Sequence, residues 1–357
     1  MKTFLKLAVS RLIDASSSAM SKSVIKTFLK LAASLLLMGG FLWAAFRNVE
    51  WVRLEEALQT ANPLWLLLSA IIIIASGLPR AWRWRMLLLP VAPNISIRSA
   101  FWAVMVAYAG NVVFPRAGEV ARALALERDH PTGLSAILAT VIVERLLDIL
   151  TLLIIFGVVL FFAREQIGAA FPGLEQVALL TLPIILFAFV FLGLLSARGE
   201  RGLSFFHHLL SRLSPRLADG VTHILRSFLQ GMRAIHTVEG YAGILVSTLI
   251  LNSLYLFAMY LPFYSFDLSH KYNLGLFEAM VVMTFATIGF VLPAPGGIGA
   301  YHFFCAQTLH HFYHVPTEIA LAFATSVHAV AIFGFILFGG PPLINLLWHK
   351  KAKKQVL

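Results

Sequence analysis

The sequence predicts an all-α, polytopic membrane protein with about six full spans and two re-entrant helical hairpins in an inverted repeat. The class follows from composition, because 59% of the 357 residues are hydrophobic and only 13% are charged. Several long runs carry almost no charge, and a helix needs about 20 apolar residues to cross a bilayer. The hairpins follow from two Pro/Gly breaks inside apolar stretches, since a broken backbone at membrane depth must be buried in protein or line water.

Basic residues set the predicted orientation. The formal net charge is +11, and the Lys and Arg residues collect in short segments beside the apolar runs, as they do on the cytoplasmic side of membrane proteins. This distribution favours a bilayer and not nucleic acid as the partner. Arg80-Ala81-Trp82-Arg83-Trp84-Arg85 is interpreted as a cytoplasmic interface that follows the second span. Both termini are predicted to be cytoplasmic, and the full crossings are predicted at residues 28–46, 63–79, 134–162, 174–196, 241–266 and 317–348.

The predicted domain organisation is simple. Residues 1–27 form a basic cytoplasmic segment, residues 28–348 one integral membrane domain, and residues 349–357 a basic cytoplasmic tail. Within the domain, residues 197–240 are expected to form amphipathic cytoplasmic helices. The single cysteine, Cys305, excludes an intrachain disulfide and a multi-cysteine metal centre.

The first break lies at Phe114-Pro115-Arg116-Ala117-Gly118-Glu119. Pro115 removes a backbone donor and disfavours helical geometry at the residue before it, while Gly118 permits a sharp reversal. We expect the tip of a re-entrant hairpin here. An ordinary surface loop with solvated charges is the alternative.

The next apolar run, residues 134–162, contains three charged residues. Glu144 and Asp148 are four residues apart and share one helix face, while Arg145 and Asp148 are three apart and can pair. A charge at bilayer mid-depth costs about 2.5–3.5 kcal/mol on insertion scales, so such residues usually face a wet cavity or a partner. The spacing predicts a polar stripe that lines an internal site.

A second break resembles the first. Leu292-Pro293-x-x-Gly296-Gly297 matches Phe114-Pro115-x-x-Gly118-Glu119, and each break precedes a short helix and a long span. Paired broken helices in halves of inverted topology are typical of secondary transporters. Chance similarity between two Pro/Gly breaks is the alternative.

Taken in order, the patterns F-P-x-x-G-E-x-x-R, E-R-x-x-D and P-x-P-G-G-x-G resemble the transmembrane flippase-like domain of lysylphosphatidylglycerol synthetases and its stand-alone relatives. The first pattern includes Arg122, and the resemblance covers about residues 28–348. It implies a multi-pass protein of the bacterial cytoplasmic (inner) membrane that moves a lipid or its headgroup between leaflets. Only residues 349–357 follow the last span, where full-length synthetases carry a soluble aminoacyl-transferase domain, so lipid aminoacylation is not expected and the protein is predicted not to be an enzyme.

For a lipid transporter, the arginines would hold a phosphate, and the carboxylates would keep the empty site near neutral or receive a cationic headgroup or a proton. The helix that begins near Gly299 would direct its free N–H groups into the same region. The alternative is that Glu119–Arg122 and Arg145–Asp148 are internal ion pairs that fix helix packing. The predicted substrate-binding residues are Arg116, Glu119, Arg122, Glu144, Arg145, Asp148, Pro293, Gly296, Gly297, Gly299 and Tyr301.

No metal or cofactor is predicted. His310 and His314 are one helical turn apart, but a solvated group at the outer interface explains them better than a metal site. Two other functions stay open: a lipid-modifying membrane enzyme with Glu144 or Asp148 as the base, and a membrane anchor for a lipid or glycolipid (for example hopanoid) biosynthetic enzyme. The predicted partners are a membrane lipid, the bilayer, and either a second copy of the chain or such an enzyme.

Overall fold

A computed structural model describes residues 31–163, 198–212, 214–233 and 238–355, together with Leu29 and Pro183. Within these ranges all regular structure is helical, as predicted. In chain order the helices are α1 (Leu31–Phe46), α2 (Trp51–Thr60), α3 (Pro63–Ala75), α4 (Gly77–Leu88), α5 (Ile97–Val113), α6 (Ala117–Asp129), α7 (Leu134–Phe162), α8 (Glu200–Ser211), α9 (Pro215–Arg233), α10 (Val238–Ser265), α11 (Leu268–Lys271), α12 (Leu276–Val291), a 3-10 turn (Pro295–Gly297), α13 (Ala300–Tyr313) and α14 (Thr317–Gln355).

Among the described residues, four helical segments are long and apolar enough to cross a membrane. They are Pro63–Leu88 (α3 and α4 together), Leu134–Phe162 (α7), Glu239–Ser265 (in α10) and Thr317–Trp348 (in α14). The multi-pass membrane class is therefore confirmed, and the predicted limits of α7 agree with the structure. The predicted span at residues 174–196, like the predicted segment 1–27, lies outside the described residues.

The first predicted span, residues 28–46, is described from Leu31 onward and at Leu29, and its helix ends at Phe46 as predicted. Helices α1 and α2 are bent by 89° and together are long and apolar enough for a broken span or a re-entrant loop. With this bent pair the described residues contain up to five candidate spans. The full number of crossings, six, stays a prediction.

Helices α5 and α6 form a tight antiparallel pair, named here the first hairpin. The turn between Val113 and Ala117 lies where the Pro/Gly break predicted it. A side chain at Gly118 would overlap the carbonyl oxygen of Ala107 on α5, so the two helices pack backbone against backbone. The Gly118 N–H also donates to Asn111 Oδ1 at 2.8 Å. Glycine is required in this hairpin because of the close approach and not because of its backbone angles.

Helices α12 and α13 form the second hairpin, with the 3-10 turn between them. A Cβ atom at Gly289 would lie 2.6 Å from the backbone nitrogen of Tyr301, which shows an equally close packing. Helix α1 covers this break: Ser34 donates its hydroxyl hydrogen to the Pro293 carbonyl, and Gly299 lies against the carbonyl of Met38. Each hairpin is followed by a long helix, as the repeat predicts. The inverted orientation of the two halves stays a prediction.

The tips of the two hairpins touch. Arg116 Nη2 donates to the carbonyl oxygen of Val291, the last residue of α12, at 3.2 Å. A Cβ atom at Gly296 would lie 3.5 Å from Val112 Cα. The two breaks, far apart in the chain, therefore meet at one junction.

Helices α8 and α9 occupy the predicted amphipathic segment. Leu203 of α8 is buried with Leu87, Val143 and Ile244, so this pair rests on α4, α7 and α10. Phe205 and Leu217 are 74% and 63% exposed. The segment is helical over these residues, and its amphipathic, cytoplasmic position on a membrane surface stays a prediction.

The segment Arg80 to Arg85, predicted to be a cytoplasmic interface, is partly buried within the protein, and its position relative to the membrane stays a prediction. The helix continues through these residues to Leu88, and Arg80, Arg83 and Trp84 are buried, with 7%, 0% and 0% of their surface exposed. The physical reason is that α4 lies against α7, whose carboxylates neutralise the two guanidinium groups inside the protein.

Candidate functional site

Glu144 is the centre of a charged cluster inside the helical bundle. Its side chain is completely buried and lies within ion-pair distance of four guanidinium groups. Glu144 Oε2 is 2.7 Å from Arg122 Nη1, and Glu144 Oε1 is 3.2 Å from Arg80 Nη1, 3.2 Å from Arg145 Nη2 and 3.5 Å from Arg83 Nη2. A buried carboxylate with this number of cationic partners is held in its ionised form.

Asp148 lies one turn further along α7 on the same face, as its spacing from Glu144 predicts. Its Oδ2 atom is 3.1 Å from both Arg80 Nη2 and Arg145 Nη2, and its Oδ1 atom pairs with Arg83. Glu119 of α6 completes the set, with Oε1 3.8 Å from Arg145 Nη1. The charged cluster is defined here as Arg80, Arg83, Glu119, Arg122, Glu144, Arg145 and Asp148.

Helix geometry places the arginines of α4. Arg80 and Arg83 are three residues apart, so both point to the same side, toward α7. Arg83 also donates to Thr248 Oγ1 of α10 at 3.3 Å. The guanidinium carbon of Arg80 lies 5.8 Å from the ring centre of Tyr108, whose hydroxyl is 3.2 Å from that of Tyr255.

Trp84 fixes the third buried arginine. The guanidinium carbon of Arg122 lies 4.6 Å from the Trp84 ring centre, a cation–π contact that gains strength when it is removed from water. The indole Nε1–H donates to Thr140 Oγ1 at 3.0 Å, which sets the ring plane against α7. Trp84 of α4 thereby positions Arg122 of α6 beside Glu144 of α7.

The cluster has a closed side and an open side. The side chains of Arg83 and Glu144 are 0% exposed and that of Arg122 is 1% exposed. Arg145 is 37% exposed, and Asp148 and Glu119 are each 23% exposed. Arg145, Asp148 and Glu119 are therefore more accessible than the three buried members of the cluster.

Cations exceed anions in this cluster. Within the described ranges, four arginines face three carboxylates. Five buried guanidinium nitrogens also lack a hydrogen-bond partner: Arg80 Nε, Arg83 Nε, Arg122 Nε, Arg122 Nη2 and Arg145 Nε. Buried polar groups are normally hydrogen-bonded, so unmet donors in such a number point to a role beyond packing.

The structure brings together five of the predicted site residues: Glu119, Arg122, Glu144, Arg145 and Asp148. Arg145 and Asp148 form the ion pair that their spacing predicts, and a role of this pair in packing or in ligand binding stays a prediction. The predicted pairing of Arg122 with Glu119 is wrong, because Arg122 pairs with Glu144 and not with Glu119.

The remaining predicted residues lie apart from the cluster. Arg116 reaches across to Val291 of the second hairpin and makes no ion pair with the cluster in the described part of the chain. Pro293, Gly296, Gly297, Gly299 and Tyr301 belong to the second break and likewise show no hydrogen bond or ion pair to the cluster among the described residues. The prediction of one site that includes both breaks is therefore only partly met.

The second break is held by aromatic and imidazole groups. His328 Nε2 lies 2.9 Å from the Gly296 carbonyl oxygen and donates to it, while the ring of His328 stacks on Tyr301 with 4.6 Å between centres. The Gly299 N–H donates to His302 Nδ1 at 3.3 Å. Gly296, Gly297 and Gly299 have φ values of +58°, +74° and +86°, a region that side-chain-bearing residues rarely adopt.

Arg80 and Arg83 are the site residues that sequence reasoning missed. The signal was present: two arginines at helical spacing directly continue an apolar run that begins at residue 63. Their partners lie more than 60 residues away on α7, so only the packing of α4 against α7 reveals their role.

Comparison with known families gives one match. The sequence pattern of the family described as "Lysylphosphatidylglycerol synthase TM region" matches residues 29–339. No curated protein and no solved structure matches the chain. The matched residues include both hairpins, α7 and every member of the charged cluster.

Proposed function

Because the chain belongs to the lysylphosphatidylglycerol synthase TM region family, a flippase-like membrane family, we propose that it moves a lipid with a polar or anionic headgroup across the cytoplasmic membrane of a bacterium. The observation that carries this proposal is the charged cluster itself. Seven ionised side chains from α4, α6 and α7 meet among helices of span length. Ionised residues inside membrane segments are costly, and they typically mark substrate pathways.

The broken helices support the same function. A lipid headgroup must leave water while the acyl chains of the lipid stay in the bilayer. This requires a polar site at membrane depth that can be exposed to either side of the membrane. Two helix pairs with Pro/Gly breaks, in contact at their tips, supply such a device in many transporters. We infer that both hairpins are re-entrant, that the halves have inverted topology, and that six full crossings leave both termini in the cytoplasm, in agreement with the basic segments.

A leaflet-exchange assay tests this function. The full chain is reconstituted into liposomes that contain a lipid with a fluorescent label, and a membrane-impermeant quencher reports the fraction of label in the outer leaflet. The wild type should exchange label faster than protein-free liposomes. Arg145→Ala should reduce the rate at least about tenfold, since one charge-assisted hydrogen bond contributes about 1.5–3 kcal/mol. Arg128→Ala is the matched control, because Arg128 is 40% exposed and, among the described residues, forms an ion pair only with its neighbour Asp129.

The assay also separates the alternatives. Mass spectrometry of the recovered lipid detects chemical change, and a modified lipid would favour a membrane enzyme. Equal rates in the wild type, in Arg145→Ala and in empty liposomes would contradict transport. They would favour a membrane anchor that recruits a biosynthetic enzyme through α8 and α9.

A further inference from the structure

The composition of the charged cluster favours a ligand with a negative charge. In the part of the chain that the structure describes, the cluster has one cation more than it has carboxylates, and five of its buried guanidinium nitrogens have no acceptor. The only unmet acceptor in the same set is Glu119 Oε2. Each arginine has a carboxylate partner, but the cluster as a whole keeps one positive charge in excess and several unmet donors. Buried polar groups without partners are costly, and a bound anion would satisfy them.

Arg122 gives a second indication of a ligand, separate from the excess of positive charge. Its side chain is 1% exposed, yet Nε and Nη2 lack partners although Nη1 is paired with Glu144. The guanidinium group presents its donors in a planar fork, which matches the geometry of phosphate and carboxylate oxygens. Arg145, on the open side of the cluster, presents the same planar arrangement of donors, and its Nε atom also has no hydrogen-bond partner.

From these contacts we propose that the charged cluster binds the phosphate oxyanion of a lipid whose headgroup has a net negative charge, with Arg145 as the residue that first contacts it. The proposal rests on the proposed function, since it names the class of lipid that the charged site would carry. It further implies that a headgroup with a net positive charge is disfavoured.

The ion pairs show how Arg145 exchanges partners. Arg145 is bound by Asp148 at 3.1 Å, by Glu144 at 3.2 Å and by Glu119 at 3.8 Å. Glu144 keeps Arg80, Arg83 and Arg122 as partners when Arg145 turns away. Asp148 is already paired with Arg80 and Arg83, so it stays neutralised when Arg145 turns to a phosphate. Glu119 is 23% exposed, and water can solvate it after the exchange. The buried pair of Glu144 and Arg122 does not have to break, and Arg122 keeps two nitrogens free for the same phosphate.

Binding is measured on the full-length protein in nanodiscs, by the shift of its thermal unfolding midpoint and by competition with fluorescent phosphatidylglycerol. The probes are phosphatidylglycerol (net negative), phosphatidylcholine (net neutral), lysyl-phosphatidylglycerol (net positive) and inorganic phosphate. We expect phosphatidylglycerol to bind at least about tenfold more tightly than the other two lipids, the effect of one additional charge-assisted contact. Equal binding of the three lipids, or tighter binding of the cationic one, would overturn the proposal.

Two variants of opposite charge separate ligand binding from a structural role. Arg145→Gln should weaken phosphatidylglycerol binding at least about tenfold, whereas Asp148→Asn removes a competing carboxylate and should strengthen it. Phosphatidylglycerol should also raise the unfolding midpoint of Asp148→Asn more than that of the wild type. A cluster that only fixes packing would lose stability in both variants and would gain nothing from the lipid. Arg128→Gln, outside the cluster, should bind as the wild type does.

The probes distinguish a lipid phosphate from free inorganic phosphate. They also separate this proposal from the proposed transport function. Stabilisation by inorganic phosphate without stabilisation by phosphatidylglycerol would overturn the lipid as the source of the oxyanion. Selective phosphatidylglycerol binding without leaflet exchange would contradict the proposed transport and leave this assignment standing. Exchange of neutral or cationic lipids without selectivity would support transport and overturn the assignment.

Discussion

The Nη2 atom of Arg80 lies 3.1 Å from the Oδ2 atom of Asp148, although the two residues are 68 positions apart in the chain. This contact joins α4 to α7, and both helices lie within the residues that match the family, 29–339. The same arginine reaches Glu144 through Nη1, so a single side chain connects both carboxylates of the α7 stripe. The arginines of α4 are therefore part of the machinery proposed for the headgroup and not a membrane anchor.

Glu144→Gln should be the most damaging single change in the cluster. The substitution removes the negative charge that four arginines share. Arg122 then loses its carboxylate partner, while the other three arginines are left with Asp148 alone or with Asp148 and Glu119. Breaking a buried ion pair on one side costs about 3–5 kcal/mol, so we expect a large fall in the thermal unfolding midpoint in detergent. Glu56→Gln on α2, at an exposed position, is the matched control and should stay within about 0.5 kcal/mol. A midpoint for Glu144→Gln that equals that of the control would show that the charges are compensated by other groups.

The stripe on α7 could be predicted because it depends only on local spacing. Glu144 and Asp148 fall on one face of any regular helix, and an apolar run of this length predicts the helix itself. Their partners could not be predicted in the same way. Arg80 and Arg83 lie in a run of arginines and tryptophans, and such a run looks the same whether its charges meet lipid headgroups or buried carboxylates. The difference depends on which helices pack together.

Gly118→Ala should destabilise the first hairpin. The added methyl group would overlap the Ala107 carbonyl oxygen and approach Asn111 Cγ at 2.7 Å, so α5 and α6 would have to separate. Overpacking of this kind costs about 1–3 kcal/mol, which thermal unfolding in detergent would detect.

Gly40→Ala on α1 is the control for this substitution. A Cβ atom at Gly40 would meet nothing within 4 Å, and alanine is favoured over glycine in a helix by about 0.5–1 kcal/mol. The two Gly→Ala substitutions should therefore shift the thermal unfolding midpoint in opposite directions: Gly118→Ala should lower it and Gly40→Ala should raise it. A stable Gly118→Ala protein would contradict the backbone-to-backbone packing of the hairpin.

The hydrogen bond from His328 to the Gly296 carbonyl should stabilise the second break. His328→Phe keeps a ring that can stack on Tyr301 but leaves the buried carbonyl without its donor, which costs about 1–3 kcal/mol. His328→Gln retains a donor and should recover part of the loss. The thermal unfolding midpoints of both variants are compared with that of the wild type. A loss in His328→Gln without a loss in His328→Phe would assign the role of His328 to its ring instead of its N–H group.

Local chemistry explains why both breaks could be located and their neighbours could not. Proline and closely spaced glycines restrict the backbone wherever they occur, so the turns at Pro115 and Pro293 follow from the residues themselves. The bend between α1 and α2, and the packing of α1 on Gly299, depend on contacts with residues more than 200 positions away. The sequence pattern of α1 therefore predicts a simple span.

The contact between the hairpin tips can be tested by a cross-link. A Cβ atom at position 296 would lie 3.5 Å from Val112 Cα, so the two backbones approach each other closely enough to test for a disulfide, whose Cβ atoms lie about 3.5–4.5 Å apart. The pair Val112→Cys and Gly296→Cys, in a Cys305→Ala background that removes the native thiol, should lose both free thiols on mild oxidation. A maleimide-polyethylene glycol gel shift measures this loss, and each single-cysteine variant should keep its thiol. If transport requires the hairpins to separate, the oxidised double variant should also stop leaflet exchange and recover it on reduction. Full labelling of both thiols after oxidation would show that the two breaks do not meet in the membrane-embedded protein.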